Sequence, residues 1–61
     1  MHVLIDTFNS KLISKHRTEA AAIIANEKFQ RAVKKSNGKD SYIPTKIYNL
    51  KDIDLDMYRT Y

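Results

Sequence analysis

Thr18–Gly38, TEAAAIIANEKFQRAVKKSNG, decides the fold, because every local signal in it points to one helix. Thr18 is a good N-cap and Glu19 puts a carboxylate in the first turn, where the helix dipole favours it. At the other end Lys34 and Lys35 bring cations to the last turn, and Asn37-Gly38 supplies a residue able to leave the helix through positive φ. On a 100° wheel Thr18, Ala22, Ala25, Phe29, Ala32, Val33 and Ser36 gather on one side, the side expected to be buried. Arg17, Ala20, Ile24, Lys28, Arg31 and Lys35 gather on the other, a basic stripe around one aliphatic residue.

Two short β-prone runs precede the helix, VLIDTF (Val3–Phe8) and KLISKH (Lys11–His16), with Asn9-Ser10 between them as a two-residue hairpin turn. After Gly38 the run SYIPTKIYNL (Ser41–Leu50) alternates as a strand. It sets Ile43, Thr45 and Ile47 toward the helix and Tyr42, Pro44, Lys46 and Tyr48 away from it. Pro44 cannot donate to a ladder, which places this strand at an edge or Pro44 at a ladder-free position. The fold class is therefore α+β: a small two-layer ββαβ unit, one central helix on a three-stranded sheet. Residues 1–51 form this single domain. The tail, 52–61, is an acidic and apolar C-terminal arm that adds a short strand or stays an arm. Its sequence fits a strand with Ile53, Leu55 and Met57 on one face, or a helix with Leu50, Ile53, Met57 and Tyr61 on one stripe. Leu55 favours the strand.

With 61 residues the chain holds at most one domain and a marginal core, and it has no cysteine with which to staple that core. Self-association is the remaining common remedy, so a homo-oligomer, most simply a dimer, is expected. The open sheet face carrying Tyr42 and Tyr48, with Ile53, Leu55 and Met57 of the tail, is the expected oligomer interface. No apolar run is long enough for a membrane span and no leader pattern opens the chain, so no membrane partner and a cytoplasmic location are expected.

The net charge of +4 is uneven. Met1–Lys51 carries ten Lys and Arg against four Asp and Glu, while Asp52–Tyr61 carries three Asp against Arg59. A basic body suggests an anionic partner, and an acidic tail suggests something that covers a basic surface, its own or a neighbour's. Arg17, Lys28, Arg31 and Lys35, with Lys34 and Lys39 close by, are spaced to follow phosphates and release their counterions. A helix packed on one side also needs a solvated outer face, and that plainer role accounts for much of the same pattern. One exposed aliphatic is ordinary on a surface, but Ile24, flanked by Ala20 and the alkyl stems of Lys28 and Arg31, also suits the centre of a protein contact.

Nothing in the chain builds a catalytic pocket. No serine sits in a strand-turn-helix elbow, the single glycine leaves no phosphate-cradling loop, and His2 and His16 lack zinc-binding spacing. Asp52, Asp54 and Asp56 alternate but lack the glycine and distal glutamate of a calcium loop. The chain is thus expected to be no enzyme, with no cofactor and no metal. The leading expectation is a small non-catalytic protein whose basic helix face, through Arg17, Ile24, Lys28, Arg31, Lys34, Lys35 and Lys39, binds nucleic acid with low sequence specificity. Its small size and Lys-, Ile- and Asn-rich composition suit an alternative, a phage- or mobile-element-type inhibitor or adaptor. That protein would dock on a larger host protein through the Ile24-centred face or the C-terminal arm.

Overall fold

The computed structural model describes residues 1–60. Its strands are β1 (His2–Asp6), β2 (Lys11–His16), β3 (Thr45–Asn49) and β4 (Arg59–Thr60), with one helix, α1 (Glu19–Asn37), between β2 and β3. The sheet order is β3-β1-β2-β4. β1 lies antiparallel to both β2 and β3, and β4 lies parallel to β2. The α+β architecture with one helix on a small sheet is as the sequence indicates, with the tail contributing the fourth strand.

The helix is held where its local chemistry places it. Thr18 accepts the Ala21 N–H on its hydroxyl at 3.1 Å, and Gly38, at φ +111°, closes the other end by donating its N–H to the Lys34 carbonyl. The buried face is turned from the expected one by roughly 50° on the wheel. Ala22, Gln30 and Val33 are buried, Ala25, Asn26 and Phe29 half-buried, and Ala32 and Ser36 exposed. Gln30 accounts for the turn. Its Nε2 donates to the Ile43 carbonyl at 2.7 Å and its Oε1 accepts the Ile43 N–H at 3.2 Å. One side chain thereby replaces a ladder partner for the segment 41–44, which lies outside the sheet. Asn26, one turn earlier, accepts the Thr45 hydroxyl at 2.7 Å and ties the start of β3 to the same face.

Strand β1 is buried on both faces from Val3 to Asp6. Its register sets Leu4 opposite Ser14 and Ile47 on the helix side, and Val3 opposite Lys15 and Tyr48 on the other side. A bulge at Ile13 separates the pairs Leu4–Ser14 and Ile5–Leu12. It moves Leu12 out of phase with Ser14 and onto the face of Val3 and Ile5. The hairpin turn is also longer than two residues. Thr7–Ser10 makes it, and Ser10, rather than Asn9, takes positive φ (55°). Asp6 organises the turn: fully buried, it accepts the Phe8 and Asn9 N–H groups on Oδ1, each at 2.9 Å, and the Asn9 amide on Oδ2 at 2.8 Å.

The tail supplies a layer that two-layer packing would lack. From Asn49 it runs through two 3₁₀ turns, Leu50–Asp52 and Leu55–Met57, capped by the side chains of Asn49 and Asp54. It thus follows neither the continuous strand nor the continuous helix its sequence allows, because each cap starts a single turn that extended Ile53 or Tyr58 ends. Leu50, Ile53, Leu55 and Tyr58 pack with Tyr48 on the cluster of Val3, Ile5 and Leu12. Arg59–Thr60 then pair beside Lys11–Leu12. Both connections between parallel strands, β2 to β3 through the helix and β3 to β4 through the tail, cross the sheet. They run in opposite directions on opposite faces and so have the same hand. Of residues 52–60, Ile53, Leu55 and Tyr58 in this way pack on the core cluster while the others are exposed.

Candidate nucleic-acid interface

The rotation of the helix brings its basic stripe diametrically opposite the buried face. Arg17, Lys28, Arg31, Lys34, Lys35 and Lys39 are all exposed. Ile24, Lys28, Arg31 and Lys35 follow one another at intervals of four, three and four residues, a row of neighbours about 5–6 Å apart. From Ile24 to Lys35 the row spans about 17 Å along the axis at 1.5 Å per residue, while Arg17 precedes the extended Thr18 cap and so stands outside the helix rather than on its wheel. Ile24 is 54% exposed at its start and Ile23 lies exposed at its border. Glu27 is also exposed on this side of the helix, so the row is strongly but not purely basic.

The acidic tail lies on the far side of the sheet from this row. Its apolar residues face Val3, Ile5 and Leu12, and Asp52, Asp54 and Asp56 are exposed outward from that layer. Within one chain the described part of the tail, 52–60, therefore leaves the helix face uncovered. Asp54 is occupied as the cap of a 3₁₀ turn, accepting the Asp56 N–H at 3.0 Å. Among the described residues no group of three or more His, Asp or Glu side chains is gathered as a metal site would require.

The residues expected to form an oligomer contact divide. Tyr48, Ile53 and Leu55 are used inside the chain, half-buried against the Val3 cluster, so the sheet face expected to be open is closed by the chain's own tail. Leu4, paired with Ile47, is on the helix side of the sheet. Lys46 lies over the Tyr48 ring with its Nζ 5.5 Å from the centroid. Tyr42 and Met57 remain outside, 63% and 78% exposed.

Three groupings were not visible in the linear sequence. His2 and His16 are direct cross-strand neighbours, with Nε2 of His16 2.7 Å from the Ser14 hydroxyl. Asn26 and Gln30, an i, i+4 amide pair beside the expected inner face, form the bridge to the 41–45 segment. That pair was the available signal, since two amides one turn apart on a buried border need backbone partners. Lastly, a shallow groove of about 250 Å³ opens between the end of the helix and Ile43, lined by Phe29, Ala32, Val33, Ser36 and Asn37.

No protein-family model, no curated protein and no solved structure matches this chain. No described helix is long and apolar enough to cross a membrane.

Proposed function

We propose that this protein is a small non-catalytic binding protein that engages nucleic acid through the outer face of α1, by phosphate contacts of low sequence specificity. The observation that carries the reading is the placement of the tail. It packs on the sheet face opposite the helix, so the cations of Arg17, Lys28, Arg31, Lys34, Lys35 and Lys39 face solvent, and among the described residues the acidic segment lies away from them. Each cation that meets a phosphate releases condensed counterions, which makes such binding strong at low salt and weak at high salt. Base-specific readout has little support, because the row offers cations and one aliphatic residue but no amide side chain. The amides nearest to it, Asn26 and Gln30, are turned inward and hydrogen-bonded.

One observation favours a second reading. Ile23 and Ile24 are adjacent exposed aliphatics on a helix whose other large apolar residues are at least partly buried. In that reading the helix docks on a larger protein with Ile24 as anchor and the cations as rim, as an inhibitor or adaptor would. Fluorescence anisotropy with labelled DNA separates the two. Lys28→Glu combined with Arg31→Glu is expected to abolish binding at low salt, while Ile24→Asp reduces it only modestly. Unchanged DNA binding by the double charge reversal contradicts the nucleic-acid reading.

A further inference from the structure

Beyond the phosphate-binding row, we infer that the nucleic acid is single-stranded and that Phe8 and Tyr42 stack its bases at the rim where the helix ends. This rests on the basic-face reading and names the form of nucleic acid it would take. Phe8 is 75% and Tyr42 63% exposed, so two aromatic rings stand in water on a chain that is short of core. Neither is on a loose segment. The Phe8 N–H is bonded to buried Asp6, and Tyr42 is held on both sides. The Ser41 N–H donates to the Gly38 carbonyl at 3.0 Å, and Ile43 has both backbone groups bonded to Gln30. The two rings belong to one end of the fold. The Pro44 carbonyl accepts both the N–H and the hydroxyl of Thr7, at 3.0 and 3.1 Å, which ties the Phe8 turn to the Tyr42 segment.

The basic row ends at the same rim. Lys34 and Lys35 occupy the last turn of α1 and Lys39 follows the Gly38 cap, three residues before Tyr42. Asp40 is the acidic residue within that loop. Ile43 is half-buried and lines the groove beside the helix, while Tyr42 next to it is exposed. A ligand that touches both the cations and the rings reaches from the last turn of the helix past Lys39 to this rim. A duplex keeps its bases paired and stacked inside, with phosphates but few base faces to offer the rings. A single strand meets the cations with its phosphates, and its unpaired bases present the π-faces that aromatic rings stack on.

The test measures anisotropy of a fluorescein-labelled thymidine oligonucleotide and of a mixed-sequence duplex of equal length, with wild type and with Phe8→Ala/Tyr42→Ala. Both rings are exposed, so the double variant is expected to keep the wild-type circular dichroism and melting temperature. The expected result is tighter binding of the single strand, a loss of roughly tenfold or more per ring in the variant, and duplex binding unaltered. The chain has no tryptophan, so Tyr42→Trp gives a second readout: quenching of the new indole by the single strand and not by the duplex. Duplex binding equal to or tighter than single-strand binding overturns the inference while leaving the basic-face reading standing. Wild-type affinity in the double variant does the same. Binding of neither form removes both.

Discussion

Replacing Gln30 by leucine isolates the contact that orients the helix. The new side chain is similar in volume and apolar, so it can occupy the same buried site, but it offers nothing to the Ile43 backbone. Two hydrogen bonds disappear, at 2.7 and 3.2 Å, and with them the weak 3.4 Å contact to Asn26. Each net bond is worth about 1 kcal/mol, and a half-buried N–H or C=O left without a partner costs up to about 3 kcal/mol. Ile43 is half-buried, so water can reach part of its backbone, and a total loss of about 2–3 kcal/mol is expected. At 0.05–0.15 kcal/mol per residue, a chain of 61 residues has a total stability of about 3–9 kcal/mol, of which this is a large part. Urea unfolding followed by far-ultraviolet circular dichroism gives the loss as a lower midpoint at unchanged slope. In a melting experiment the same loss is a fall of roughly 10–20 °C. Hydrogen exchange adds a local reading, because the Ile43 amide loses protection before the β1 amides do. A stability change under about 0.5 kcal/mol with Ile43 still protected refutes the argument that Gln30 holds this segment.

Three further perturbations test the rest of the fold. Ala22 is fully buried beneath the sheet, so Ala22→Leu overfills the helix–sheet layer and is expected to cost about 1–3 kcal/mol in a urea titration. Asp6→Ala removes the acceptor for two turn N–H groups and the Asn9 amide; a loss of about 2 kcal/mol is expected, with broadened NMR signals for Thr7–Ser10. Truncation after Lys51 strips Ile53, Leu55 and Tyr58 from Val3, Ile5 and Leu12, and the product is expected to unfold or self-associate through the bared face, as light scattering and circular dichroism would report. A truncated chain that stays folded and monomeric contradicts the tail's role as the third layer.

The parts of the fold that sequence made legible are those governed by neighbours in the chain. Thr18 and Gly38 mark the helix ends through bonds spanning three or four residues, with Glu19 in the first turn, and the observed helix begins and ends beside them. β2 is likewise found as read; β3 lies at an edge and starts only at Thr45, which also leaves Pro44 outside the ladder. What eluded sequence reading depends on contacts between distant segments. Gln30 is polar and looks like a surface residue until Ile43, thirteen positions away, needs a backbone partner. The bulge at Ile13 changes the face of Leu12 without any glycine to announce it. The tail carries both helical and strand periodicity, and the caps Asn49 and Asp54 settle it as neither. The basic stripe was legible as a pattern because it needs only helical periodicity. Its freedom from the acidic tail was not, since that follows from which sheet face the tail crosses.

The central claim, that the outer face of α1 meets phosphates, is tested most directly by the salt dependence of single-strand DNA affinity. Wild type is compared with Lys28→Gln/Arg31→Gln/Lys35→Gln, a variant in which all three positions are exposed and folding is expected to be retained. Each phosphate contact contributes about 0.7 to the slope of log K against log salt for a single strand, so removal of three cations is expected to flatten the slope by about 2. Affinity at low salt falls in parallel. An unchanged slope in the triple variant, at whatever affinity, contradicts the claim.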